Sequence, residues 1–551
     1  MVPWRLAQGE KLYRDVHFHH GPLGPFLAAA SDGIVGRSLP ARIALAAVIA
    51  LLHLAALERL SRRVLPPWRA ALATSAAVAA AMFLRPGGWL FPFSLDTAIA
   101  VAALTWACVF QDRSDSRGRD GAAGFCLAAA LLARPEMGIA AVAVFAFAAR
   151  REPLRLLRLA AFPLAAAAAA YTALSAGLAR ERLVADGWLR FLDPPVAYAN
   201  VYRSYAGLDR IGLRVAELLL AALVLALCAA LLAAAAFFAS RAGSRSRTPA
   251  ALLELPAIGI LAAAAATRLH PPASLAETLD LFPPLVRVIP PLVVVAGVLR
   301  LLVRLRGREP RGLLAAVPDT MLWIAALFSL RLFLAAGYVG PYPAFFLPLP
   351  LVVAFAGVFA LADRSAPALG GALPRLTAAA LSIFVLFRVA SMAQLYRGRP
   401  WSRVDTAVGS LRLTEPVAAA TRAVLEDLSR RLPGRGTLSG FPETGFYNYA
   451  LGRPSPFWLD QFFPGHLDET GEARAIRVLE TRPPDALLYA NVLAAGEGAR
   501  NFGRDYNARL DAAARARFRT AAVYGPGGLP GARIGDPGFF VEVLVPRKTS
   551  P

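Results

Sequence analysis

Lysine is almost missing from this chain. It stands only at Lys11 and Lys548, and the remaining cations are arginines. That bias, with heavy use of Ala, Leu, Gly and Pro, suggests a GC-rich bacterial genome. Cysteine is scarce too: Cys108, Cys126 and Cys228 all fall in apolar stretches. Residues 394–551 therefore have neither a disulfide framework nor a thiolate metal site open to them. There is no Walker A string, no Gly-x-Gly-x-x-Gly at a strand–helix junction and no Gly-x-Ser-x-Gly elbow. Their absence weighs against an ATP-driven pump and a soluble-type hydrolase.

What is present is apolar. Of 551 residues, 57% are hydrophobic, and the mean hydropathy is +0.50, too little polar surface for a soluble globule of this length. Stretches of near bilayer-crossing length recur at 41–60, 67–84, 92–110, 121–133, 137–149, 156–178, 212–239, 250–267, 285–303, 314–335, 343–362 and 375–393. The expected fold class is a polytopic α-helical membrane protein of about a dozen transmembrane helices with a soluble α/β domain at 394–551. The formal net charge of +22 does not point to nucleic acid, because much of the arginine sits in short loops between apolar stretches. Arg59, Arg62, Arg63 and Arg69 share one such loop, Arg150, Arg151, Arg155 and Arg158 another, and Arg304, Arg306, Arg308 and Arg311 a third. The intervening loops hold an isolated arginine or none. The positive-inside rule makes the arginine-rich set cytoplasmic. Residues 1–38, the loop 179–211 and the tail 394–551 then face the periplasm of a bacterial inner membrane. An outer N-terminus beginning at Met1 predicts either a first transmembrane helix upstream of it, the preferred reading, or a poor span at 23–35.

In the tail, 411–432 has helical spacing of apolar residues, while 486–490 and 539–545 read as strands between Pro-Gly turns.

Polar residues near membrane depth are costly and mark candidate sites. Tyr13 to Leu23 holds Asp15, His17, His19 and His20. Imidazole and carboxylate there suit a divalent metal such as Zn or Mn, with His17, His19 and Asp15 as ligands; an interfacial loop is the plainer reading. Asp96 opens an apolar helix, either as a first-turn carboxylate favoured by the helix dipole or as a group in a catalytic cavity. Arg134 and Glu136 flank the hairpin between two short spans. They pair with each other, or Arg134 holds a phosphate through its guanidinium fork. Tyr198 and Tyr202 lie in an aromatic loop that suits a sugar face or an interfacial belt. Arg331 falls inside an apolar run and needs an acid or a lipid phosphate as partner.

The string Trp4 to Asp15 leading into His19-His20-Gly21-Pro22-Leu23 resembles the first outer loop of GT-C superfamily membrane glycosyltransferases. It is most similar to the branch with RgtA/B/C/D-like, protein-mannosyltransferase-like and aminoarabinose-transferase-like members, which often read G…Y.D…..PPL there. Phe91-Pro92-Phe93-Ser94-Leu95-Asp96 is similar to their motif of an acid entering a helix. Gly124–Gly138, with Ala133-Arg134-Pro135-Glu136, resembles their GLA…T[KR]PE hairpin.

The resemblance implies transfer of a sugar from a polyprenyl-phospho-sugar donor to an extracytoplasmic glycan, lipid or protein acceptor. An acceptor hydroxyl would attack the anomeric carbon with inversion while lipid phosphate leaves. It casts Asp15 and Asp96 as catalytic carboxylates. Arg134 and Arg331 become phosphate-side cations, and His19, His20, Glu136, Tyr198 and Tyr202 substrate contacts. No cofactor is required beyond a divalent metal at most. The family's usual acid pair lies upstream of the G…Y.D segment, where this chain has no residues, and His19-His20-Gly21 replaces an acidic–basic–Pro sequence. A transporter or flippase for a lipid-linked substrate, and an inactive GT-C-like scaffold, are the alternatives.

Overall fold

The computed structural model describes residues 1–82, 89, 94–111, 117–196, 199–200, 203, 206–242, 282–310, 315, 317–334, 345–365, 372–434, 436–492, 494, 501–526 and 538–547. The chain divides into two compact units, Met1–Leu45 with Tyr171–Tyr202 and Arg399–Pro551, and Ala46–Ala170 with Arg203–Gly398. The tail thus groups with the N-terminal segment and the middle loop.

The first unit is built on a four-stranded sheet. Its strands are β3 (Leu438–Phe441), β4 (Ala486–Ala490), β5 (Phe518–Tyr524) and β6 (Val541–Pro546), in the order β3-β4-β6-β5. A separate hairpin pairs β1 (Trp401–Thr406) with β2 (Gly409–Thr414). β3 and β4 run parallel, and β6 is antiparallel to both β4 and β5. Side chains alternate across a strand, so each face builds its own core. Leu488 and Val543 pack with Val417, Val424 and Leu428 of the helix Glu415–Arg431. Their sequence neighbours Leu487 and Leu544 pack on the other face with Leu479 and Leu510 from the helices Glu469–Thr481 and Ala508–Arg517. Helices therefore cover the sheet on both faces, and the strand predicted at 486–490 is β4.

The N-terminal segment is built into this unit. Helix α1 (Val2–Ala7) places Trp4 in the core with Val404 and Leu438. Arg5, 4% exposed, donates to the Phe457 carbonyl at 2.8 Å and pairs with Glu10 at 2.6 Å and Asp460 at 3.1 Å. Helix α2 (Leu23–Val35) follows and stops at Gly36, whose φ of 77° suits a residue without a Cβ. Helix α3 (Leu39–Val64) begins after three more residues.

The second unit is helical throughout its described length. Each apolar stretch read from the sequence is mostly helix, except 250–267, which lies outside the described residues. Four helical stretches among the described residues are long and apolar enough to cross a membrane: Leu39–Val64, Pro153–Ser175, Arg287–Leu305 and Leu373–Ala390. Leu95–Phe110, Pro135–Ala149 and Asp319–Leu330 are apolar but shorter. Several carry leucine and valine outward, as Leu292, Val295, Val298 and Leu299 do. The arginine-rich helix ends are paired: Asp120 takes Arg155 at 3.2 Å and Arg158 at 3.6 Å, and Asp319 takes Arg300 and Arg304.

Candidate functional site

Three segments of the second unit meet in one buried polar cluster. Ser94 caps the helix Leu95–Phe110, its hydroxyl accepting from the Thr97 amide at 3.3 Å, which leaves Asp96 in the first turn. Asp96 is therefore not the cap. It is 4% exposed on an otherwise apolar helix, where a carboxylate gains from the N-terminal dipole.

The second segment is the hairpin between the helices Arg117–Ala133 and Pro135–Ala149. Pro135 takes the first helical position, where its missing N–H costs nothing, and forces Arg134 into an extended backbone with φ of −141°. Gly138 lets the two helices approach: a Cβ there would lie 2.5 Å from Leu131 Cα. The hairpin aims Arg134, 2% exposed, at the capping turn. Its Nε donates to Thr97 Oγ1 at 2.9 Å, and Nη2 reaches Thr97 Oγ1 at 2.5 Å and Ser94 Oγ at 3.4 Å.

Glu136 links the third segment. Its Oε1 lies 3.5 Å from Arg134 Nη1 and accepts from Arg331 Nη2 at 3.0 Å. Arg331 ends the helix Asp319–Leu330. The acid that its apolar surroundings demand is Glu136. Two guanidiniums thus share the Glu136 carboxylate. Arg134 lies inside, whereas Glu136 and Arg331 are about a quarter exposed at 24% and 29% of their side chains. At the exposed edge the Arg331 and Glu136 charges answer each other, and Arg134 stands behind them.

The first unit has its own concentration of titratable groups. His17, His19 and His466 have ring centroids 5.9 to 6.2 Å apart, and His20 lies 4.0 Å from His19. His17 Nδ1 donates to Asp186 Oδ1 at 3.2 Å, because an ionised carboxylate can only accept. Its Nε2 is buried without a hydrogen-bond partner among the described residues. Asp186 also accepts from Trp458 Nε1 at 3.3 Å and Arg474 at 3.2 Å. Burial pushes the His17 imidazole down, against the pull of Asp186, and pushes His19 and His466 well below the usual histidine range. Burial raises Asp186, but the His17, Trp458 and Arg474 contacts outweigh it and hold the carboxyl low. These imidazoles are neutral at pH 7.

A divalent metal is one of the two readings of His17, His19 and Asp15 in the sequence. Among the described residues no group of three or more histidines, cysteines or carboxylates could hold a metal ion. Asp15 is engaged elsewhere, accepting from the Lys11 amide at 2.9 Å and from Arg14 Nε at 3.2 Å to close a turn. Burial alone would raise its carboxyl, but those bonds hold it below the usual range. Asp15 lies in the first unit and Asp96 in the second. Tyr198, Tyr202, His270, Tyr338 and Tyr342 lie outside the described residues.

His466 was not singled out from the sequence, and Asp186 and Arg190 only as part of the aromatic loop. His466 follows the Pro464-Gly465 turn as one of only six histidines. Buried Arg190 donates to the Ala185 and Gly465 carbonyls. The rarity of histidine was the available signal. Its partners lie hundreds of positions away.

No protein-family model matches the sequence, and no curated protein matches it. Among solved structures, the chain is similar to ArnT from Cupriavidus metallidurans bound to undecaprenyl phosphate, with 15% identity over 98% of this chain and 92% of that chain and a TM-score of 0.39. For the apo state of the same protein the identity is 16%, over 96% of this chain and 88% of that chain, with a TM-score of 0.36. Scores this low do not establish a shared fold.

Proposed function

We propose that this chain is a multi-pass membrane glycosyltransferase of the GT-C type, moving a sugar from a polyprenyl-phosphate donor to an extracytoplasmic glycan, lipid or protein. The observation that carries the reading is the convergence of Ser94–Thr97, Arg134–Glu136 and Arg331 in one cluster among apolar helices. Two of those three segments carry the family resemblance. The reading assigns Arg331 and Arg134 to the phosphate side and Asp96 to the carboxylate base. Asp15, tied into its own turn, is left as support for the loop.

The reaction follows from those roles. An acceptor hydroxyl attacks the anomeric carbon, forming the new C–O bond as the bond from that carbon to the phosphate oxygen breaks. The electron pair leaves with the phosphate, where guanidinium charge stabilises it. The hydroxyl proton passes to Asp96. Attack opposite the leaving group inverts the anomeric centre.

Membrane topology supports the same reading. Residues 1–45, 171–202 and 399–551 share one folded unit, so each apolar block between them returns the chain to the same side. Helices in 46–170 and in 203–398 then cross an even number of times, as the arginine alternation requires if that side is the periplasm.

The test uses membranes holding the full chain and a radiolabelled polyprenyl-phospho-sugar. Asp96→Asn is expected to lower transfer by about 10²- to 10⁴-fold at unchanged protein level and melting temperature. Undiminished transfer in that variant would refute the assignment of the base.

A further inference from the structure

Two helical stretches of the second unit touch backbone to backbone near their arginine-rich ends. A Cβ on Gly124, in the helix Arg117–Ala133, would collide with the Arg158 carbonyl oxygen and lie 3.7 Å from Phe162 Cδ1. Arg158 belongs to the π-helical turn Leu157–Ala161, inside the apolar stretch Pro153–Ser175. Toward the helix ends the seam is charged. Asp120 takes Arg155 at 3.2 Å and Arg158 at 3.6 Å. Glu152 reaches Arg155 at 3.3 Å with half of its side chain exposed. Those four charges cancel. Arg117 and Arg151 stand outside these pairs and are exposed, and Arg117 shares the helix face of Asp120 at i, i+3. The ends therefore carry surplus positive charge.

Farther in, the same seam is apolar and open. Phe125 is 69% exposed and Phe162 53%. Phe125 follows Asp120 by five positions, about 7.5 Å along the axis, and Phe162 follows Arg158 by four, about 6 Å. Both helices thus set a ring 6–8 Å inward of a charged group. A bilayer's headgroup layer is about 5–8 Å thick on each side. The charged level matches lipid phosphate, and the ring level matches the upper acyl chains.

We infer that this seam binds an anionic phospholipid from the leaflet at the arginine-rich helix ends. Arg158 and Arg117 hold the headgroup phosphate through guanidinium hydrogen bonds, and Phe125 and Phe162 face the chains below it. A zwitterionic headgroup brings its own cation to the arginines, whereas an anionic one answers their surplus. The site is distinct from Arg134, which lies at the other end of the 17-residue helix Arg117–Ala133, about 25 Å away. It rests on the reading that the second unit spans a membrane, and not on sugar transfer.

The experiment adds a tryptophan reporter to the full chain, Phe125→Trp at the seam or Leu51→Trp on the exposed face of α3, with the parent chain as fluorescence background. Vesicles hold equal parts phosphatidylcholine and phosphatidylglycerol, one or the other with brominated, quenching chains. Brominated phosphatidylglycerol is expected to quench Phe125→Trp several-fold more than brominated phosphatidylcholine, and Leu51→Trp equally. The preference should fall to parity with Arg117→Gln plus Arg158→Gln, and partway with Arg117→Gln alone, an exposed change that keeps the test if the double variant does not fold. It should rise with Asp120→Asn, which frees two guanidiniums, and hold with Arg59→Gln at another arginine-rich end. Equal quenching of Phe125→Trp by the two lipids overturns the site and leaves the membrane reading standing. A preference lowered by Asp120→Asn makes the arginines structural, and one lowered equally by Arg59→Gln makes the attraction diffuse surface charge; either overturns it. If neither lipid quenches Leu51→Trp, the membrane reading fails and the site with it.

Discussion

His17 and Asp186 meet at 3.2 Å, Nδ1 to Oδ1, and join the N-terminal segment to the middle loop of the first unit. Trp458 and Arg474 of the tail hold the same carboxylate. One acid thus ties three remote stretches of chain together, and the imidazole that binds it is buried and neutral.

That arrangement makes the first unit acid-labile. His17, His19 and His466 all have folded-state pKa values below the ordinary histidine value. Below about pH 6.5 the unfolded chain therefore binds protons that the folded unit refuses, and stability falls as pH drops. The slope is about 1.4 kcal/mol per pH unit for each such histidine. Arg190 and Arg474 add positive charge nearby, and Asp186 and Asp460 negative charge. Asp186, held low, withdraws its own contribution only as pH falls further, below about 4. Thermal melts followed by tryptophan fluorescence from pH 8 to 5 should show a progressive loss, flattened in His466→Gln. A melting temperature constant across that range would contradict the account.

Arg134 and Arg331 should separate in their effects. Arg134→Met leaves the Ser94 and Thr97 hydroxyls and Glu136 without their buried guanidinium, and should cost about 2–4 kcal/mol of stability. Arg331→Met breaks a pair whose members are a quarter exposed and should cost at most about 1 kcal/mol. Its loss should instead show as weaker use of a polyprenyl-phosphate donor. Detergent melts and donor titrations on the two variants provide the comparison.

Gly138→Ala should damage the hairpin that presents Arg134. The added carbon would sit 2.5 Å from Leu131 Cα and 2.6 Å from its nitrogen, and backbone atoms cannot yield as a side-chain tip can. The cost should reach about 1–3 kcal/mol or more. Gly33→Ala, inside a helix with nothing within 4 Å, should hold the melting temperature or raise it slightly, since glycine in a helix costs about 0.5–1 kcal/mol against alanine. Yield and melting temperature of the two purified variants decide the contrast.

The sequence was most informative where a short-range pattern carried the signal. Residues 486–490 are five consecutive apolar or aromatic positions between turns, and they form β4. The helix Glu415–Arg431 repeats Val417, Thr421, Val424 and Leu428 on one face, which the spacing of apolar residues at 411–432 announces. Arg134 and Glu136 stand two positions apart, so their proximity could be read directly. The unsatisfied charge of Arg331 in an apolar run demanded an acid, and Glu136 meets that demand. His466 and Asp186 were hidden for a different reason. Their approach to His17 depends on the sheet and both of its flanking cores, and nothing in the residues beside them records it. Asp15 accepts from an amide four positions back, a local contact that its place in the motif does not announce.

Among the described strands β6 follows β5 in the chain yet lies between it and β4, so the sheet closes only when residues 541–546 are placed. Until β6 is placed, the edges of β4 and β5 that it pairs with are open to wrong partners. Truncation within β6 should therefore leave β4 and β5 without their shared partner and the first unit unassembled.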